Sequence, residues 1–131
     1  EGWCVGARHQ NNSALKRPIN IIEKERDNDL KWRKTVNNYL KNQYKILFNK
    51  LDKLVYLKVP NFSYIFKWRL MQEQKLKLTS KNKKTMSRSQ VKNFIMFYER
   101  ITKDMMKDFT KISDLTIFLD KSHRSKKMRF N

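Results

Sequence analysis

Glycine, proline and alanine are nearly missing from this chain of 131 residues, which holds two of each: Gly2, Gly6, Pro18, Pro60, Ala7 and Ala14. So few glycines exclude a loop that wraps a phosphate chain in successive backbone N–H groups, and no Gly-Lys pair or G-x-x-x-x-G-K-[ST] turn occurs anywhere. The single Cys4 excludes an internal disulfide, and neither it nor the isolated His9 and His123 has the paired spacing of a zinc site. No run approaches the roughly 18 apolar residues a membrane span needs. The opening EGWCVGARHQ lacks the basic start and cleavage pattern of a targeting peptide. A soluble, cytoplasmic protein with no membrane partner is the expectation.

Acidic residues are scarce as well. Asp and Glu number 12 against 31 Lys and Arg, a formal charge of +19, and the pI is near 10.2. Such an excess points to a polyanionic partner, nucleic acid first. A competing explanation is compositional: Lys, Asn, Ile, Phe and Tyr have AT-rich codons, and a biased genome raises the pI with no function selected. At 39% hydrophobic residues the chain has enough for one lean core.

Along the chain, residues 1–10 read as a strand-like stretch and residues 11–24, with Asn, Ser and Pro18, as a connecting loop. From Asp27, apolar positions Leu30, Trp32, Val36, Leu40, Tyr44, Leu47, Leu51 and Leu54 recur mostly at three and four, predicting one long amphipathic helix capped by Asp27 or Asn28. LVYLKVP, residues 54–60, predicts a buried strand. NFSYIFKWRLMQEQKLKL predicts a helix with Ile65, Trp68, Gln72 and Leu76 on one stripe and Arg69 and Glu73 at pairing distance. TSKNKKTMSR, residues 79–88, predicts a lysine-rich loop. Ser87 and Gln90 form an S-x-x-Q capping box that opens a second long helix through Val91, Phe94, Ile95, Tyr98, Thr102, Met105 and Phe109. DLTIFLD, residues 114–120, predicts another buried strand, and residues 121–131 a basic tail without fixed structure.

Strands separated by helices require crossovers and hence a mainly parallel sheet. Three such strands make half a sheet, since a parallel sheet wants both faces buried.

The runs EGWCVGARHQ, PINIIEKERD, WRKTVNNYL, LVYLKVPNFSYIFKWRLMQEQKL, MSRSQVKNFIMFYERIT and DLTIFLD, in that order, resemble the C-terminal half of the D-glycerate 3-kinase-like P-loop kinases, relatives of the phosphoribulokinase, uridine kinase and pantothenate kinase group. The resemblance covers residues 1 to about 120. It implies an α/β fold: a partial P-loop NTPase-type parallel sheet of about three strands with long flanking helices, the P-loop half missing. Residues 1–120 are then the C-terminal portion of a kinase domain.

The resemblance also implies roles. Glu1, in the E-G-W motif, corresponds to a carboxylate that helps hold the Mg²⁺ of MgATP. Arg69, in the WR motif, would stabilise charge on the transferring phosphoryl group or clamp a substrate carboxylate; the plainer alternative is an ion pair with Glu73 on a solvated face. Gln72 and Glu73 would orient Arg69, and Arg8 would sit near a substrate. Trp68 fits a core position better. Tyr98 and Arg100 lie about 200° apart around a helix, so Tyr98 is taken as core and Arg100 as a phosphate contact. Lys81, Lys83 and Lys84 would attract an anion or form a solvated tip.

Three readings follow. In the first, the chain is a fragment of an ATP-dependent phosphotransferase acting on a small-molecule hydroxyl, D-glycerate being the favoured acceptor, and is inactive without its P-loop half. In the second, it is a nucleic-acid-binding module using Lys-rich segments 75–88 and 121–131. The third is a non-functional remnant of a decaying kinase gene.

Overall fold

The computed structural model describes residues 1–79 and 84–131. The predicted Lys81 and Lys83 therefore lie outside the described residues. The chain divides into two compact units, Glu1–Leu54 and Val55–Asn131.

In the first unit the opening decapeptide is not a strand. The Ala7 N–H donates to the Cys4 carbonyl at 2.9 Å, closing a turn. Gly6 occupies its third position at φ 79°, where a side chain would be strained. The expected loop that follows contains two short helices instead, α1 (Asn12–Lys16) and α2 (Ile21–Arg26). Between them Arg17 is extended, as a residue before proline must be. Asn20 caps α2 by accepting the Glu23 N–H at 3.0 Å.

The long helix expected from Asp27 is two helices, α3 (Lys31–Lys41) and α4 (Gln43–Phe48), broken at Asn42 where φ is −109° and ψ −82°. Leu30, at φ 62°, occupies the cap position of α3. Asp27 nonetheless does the capping from three residues upstream: its two carboxylate oxygens accept the Trp32 N–H at 2.8 Å and the Arg33 N–H at 3.2 Å. The inward face of α3 is also shifted from the expected stripe. Its buried residues are Arg33, Asn37 and Leu40, whereas Trp32 is exposed.

The second unit is a mixed α/β layer. Strands β1 (Val55–Lys58), β2 (Leu115–Leu119) and β3 (Ser125–Phe130) stand in the order β1-β2-β3. The β1–β2 pair is parallel, with Tyr56 opposite Thr116, and its crossover comprises α5 (Phe62–Thr79), α6 (Arg88–Met96) and α7 (Glu99–Ile112). This is the crossover parallel pair expected from the strand–helix alternation. The β2–β3 pair is antiparallel, with Thr116 opposite Arg129 and an irregularity between Phe118 and Leu119, so the sheet is mixed rather than mainly parallel. β3 takes most of the basic segment expected as a tail.

The predicted second helix starts where expected. Ser87 Oγ accepts the Gln90 N–H and Gln90 Oε1 accepts the Ser87 N–H, a complete capping box. It does not run through, however: tight i→i−3 bonds from Phe97 to Phe94 and Tyr98 to Ile95 separate α6 from α7. Val91, Ile95, Met105 and Phe109 are its buried apolar residues. The ring of Phe109 meets Tyr56 edge-on at 5.2 Å, which places α7 over one face of the sheet. The other face carries Val55, Leu57, Met128 and Phe130, all exposed, so neither β1 nor β3 is a buried strand.

Candidate functional site

Arg69 and Gln72 are the two expected site residues that the structure brings together. Both lie on α5, one helical turn apart, and the Arg69 guanidinium donates through Nη1 to Gln72 Oε1 at 3.1 Å. Through Nη2 it donates to Glu73 Oε1 at 2.6 Å. The guanidinium carbon also sits 5.5 Å from the centre of the Phe94 ring, on α6.

The ion pair foreseen as the plainer role of Arg69 therefore exists, but not on a solvated face. Glu73 is only 5% exposed and is the buried residue of α5, displacing the expected stripe through Gln72, which is exposed. Its second oxygen accepts the Met86 N–H at 2.8 Å, tying α5 to the segment leading into α6. A buried carboxylate with a cation on one oxygen and a backbone donor on the other is satisfied. Arg69 is left with one polar atom to spare: Nε is buried and has no hydrogen-bond partner among the described residues. A water or an anionic oxygen would complete it.

Arg100, expected to face a phosphate, is 9% exposed, and its neighbour Glu99 equally so. The half-buried residue is Tyr98, which precedes α7. The phase inferred across one continuous helix does not survive the break at Phe97 and Tyr98. Trp68 is half-buried, stacks on His123 at 4.2 Å between ring centres, and donates from Nε1 to the Lys121 carbonyl at 3.3 Å. It thereby fixes α5 to the β2–β3 turn. Lys84 is exposed.

Glu1 and Arg8 belong to the first unit, and both are exposed. Their segment is held by Asn37, a residue the sequence analysis missed. The Gln10 N–H donates to Asn37 Oδ1 at 2.7 Å and Asn37 Nδ2 donates to the Gln10 carbonyl at 2.9 Å. This two-point clamp copies a strand pairing with a side-chain amide. The available signal was a polar residue four positions after Arg33 on the inward face of α3.

Arg33 is the second omission. Its Nε donates to Asp27 Oδ2 at 2.6 Å, Nη1 to the Leu15 carbonyl at 2.8 Å, and Nη2 to the Asp27 carbonyl. Glu23 adds a carboxylate oxygen 3.8 Å from Nη1. Three charged side chains are thus buried together at the centre of the first unit. The quoted runs PINIIEKERD and WRKTVNNYL contain all three.

Burial raises the Cys4 thiol above its ordinary pKa, which disfavours the reactive thiolate. Among the described residues no group of three or more His, Cys, Asp or Glu side chains forms that could hold a metal ion. Glu1 supplies one hard oxygen donor. That is a suitable donor for a magnesium ion carried in on nucleotide phosphates and insufficient for a free one. No helix among the described residues is long and apolar enough to cross a membrane. On β3, Lys127 and Arg129 lie on one side and Met128 and Phe130 on the other.

No family model matches the chain. It is 33% identical over 99 residues to an uncharacterized kinase, mug58, of Schizosaccharomyces pombe, covering 75% of this chain and 34% of that protein. Among solved structures it is similar to a D-glycerate 3-kinase from Cryptococcus neoformans var. grubii, with a TM-score of 0.71 and 21% identity. The resemblance expected from the motifs is therefore found both in sequence, to a protein named as a kinase, and in fold, over 99% of this chain. The chain spans about half the length of the structural relative, 48%, and about a third of the sequence relative, 34%.

Proposed function

We propose that the chain is one part of an ATP-dependent phosphotransferase that phosphorylates a hydroxyl group of a small molecule, with D-glycerate as the favoured acceptor. The observation that carries this reading is the fold match over 99% of the chain to a protein named as a D-glycerate 3-kinase. The identity of that match, 21%, leaves the acceptor to be chosen by the site.

In this reading the residues divide by what they hold. Arg69, kept in place by Gln72 and Glu73, presents a fixed cation toward an anionic group, a phosphoryl oxygen or the carboxylate of an acid acceptor. Arg8 assists substrate binding, and Arg100 acts as a phosphate contact from a buried position. Glu1 is the carboxylate that would meet the magnesium of MgATP, whose chemistry is to neutralise charge on the phosphates. With two glycines and no Gly-Lys pair, this chain has no loop to grip nucleotide phosphates. The activity is accordingly that of a longer protein.

The coding DNA upstream of Glu1 tests this. An in-frame G-x-x-x-x-G-K-[ST] turn is expected, and the longer product should transfer phosphate from ATP to D-glycerate in a coupled ADP-release assay. A stop codon immediately before Glu1, or a longer product inactive on every hydroxy acid tried, overturns it.

A further inference from the structure

α5 and α6 enclose a groove of about 850 Å³ that none of the roles above uses. Phe62 and Phe66 of α5 and Ile95 and Met96 of α6 form its apolar walls, and Arg88 and Lys92 stand at its rim. That volume lies within the range of roughly 300–1,000 Å³ typical of small-molecule sites.

The placement of the two cations is unfavourable for the helix that carries them. Arg88 is the first residue of α6, whose first turn holds no acidic side chain, so its charge faces the positive end of the helix dipole. Lys92 follows four residues later on the same side, and a like-charge pair at that spacing costs a helix about 0.2–0.5 kcal/mol. Arg88 is nonetheless held in position, its guanidinium carbon 5.2 Å from the centre of the Phe66 ring. The one acidic residue in the lining, Glu99, is engaged by Lys103 at 2.6 Å, and two cations stand against its single charge. Apolar walls below two rim cations suit a ligand with both an apolar body and an anionic head.

We propose that this groove binds a small organic anion, with a flat apolar body between Phe62, Phe66, Ile95 and Met96 and a carboxylate or phosphate against Arg88 and Lys92. The site stands independently of the phosphotransferase reading, since it requires neither nucleotide nor metal.

The test is a titration of the ¹⁵N-labelled 131-residue chain with 1-naphthyl phosphate, followed by amide shifts, with 1-naphthol and inorganic phosphate as the two halves of the probe. Shifts should concentrate on residues 62–66 and 87–99. Affinity should fall about tenfold or more in R88Q/K92Q, the loss expected for hydrogen bonds to a charged group, while 1-naphthol binding is unchanged. The control K126Q/K127Q, on exposed β3, should bind the probe as the parent does. Shifts spread over the basic surface, or equal affinity in R88Q/K92Q and the parent, would overturn the proposal. Both variant pairs alter exposed side chains, and unchanged amide positions elsewhere confirm that each is folded.

Discussion

Arg33 is enclosed at 3% exposure, a position an arginine occupies only when oxygens meet its donors. Here the donors reach Asp27, the Leu15 carbonyl and the Asp27 carbonyl, and the cation is shared with Glu23. Removing it strands two buried carboxylates. Arg33→Ala should cost about 3–5 kcal/mol in urea unfolding, as for other buried pairs broken from one side. Arg33→Lys keeps the charge without the fork and should fall between the two. Glu73 offers a second test, because one carboxylate holds both Arg69 and the Met86 N–H. Glu73→Gln keeps an acceptor for one of them and loses the ion pair, so Arg69 should become mobile, seen as narrowing of its Nε–H resonance, while α6 stays formed. The Arg33 cluster was not legible beforehand, and of the Arg69–Glu73 pair the spacing showed the pairing but not its burial. An arginine or glutamate on a helical stripe reads as a solvent-facing residue, and only its enclosure by distant carbonyls reveals otherwise.

Elements were legible where a local rule governs them. The Ser87–Gln90 capping box satisfies two backbone donors using side chains three residues apart, and it marks the start of α6 correctly. Ser87→Ala should destabilise the second unit by about 1 kcal/mol, measurable as a lowered urea midpoint at constant slope. What periodicity alone did not show was where a helix stops. The apolar spacing continues across Asn42 and across Phe97 and Tyr98 although the backbone does not, because side-chain pattern constrains a face and not the continuity of the hydrogen-bond ladder. β3 was missed for a related reason: in SKKMRF the alternation is masked by charge. Its turn depends on Asp120, whose carboxylate accepts the Arg124 N–H at 2.9 Å and the Ser122 N–H at 2.8 Å. The Arg124 bond is the main cause of its lowered pKa, with the Ser122 bond and the charges of Arg124 and Lys126 adding to it. A depressed carboxylate stabilises the fold above its unfolded value, here near 3.8, and that contribution is lost as pH falls through the lower folded value. Cross-strand contacts between β2 and β3 should therefore weaken below pH 3.8 in the parent and be weaker but insensitive to pH there in Asp120→Asn.

At the scale of the whole molecule, the sheet of the second unit has one finished face and one bare one. α7 covers the side bearing Tyr56 and Thr116, and Thr116 is fully buried. On the opposite side the register aligns Val55, Leu115 and Phe130 in one row and Leu57, Ile117 and Met128 in the next. Phe130 is 77% exposed and Leu57 56%. The expectation of half a sheet came from counting strands, and the exposed rows express the same deficit in side chains. Contiguous apolar surface of this kind is uncommon on monomers, and a parallel sheet is ordinarily covered on both faces. Net charge of +19 opposes close approach of two copies at low ionic strength and is screened as salt rises. Self-association of the isolated chain should accordingly increase with salt, the reverse of what charge-driven assembly would give. Sedimentation velocity at 50 and 500 mM NaCl checks the direction. Leu57→Lys with Met128→Lys places two charges in the second row without touching the covered face, and should restore a single monomeric species at both salts with the helices intact. If that double variant still associates as the parent does, the bare face is not what drives the contact.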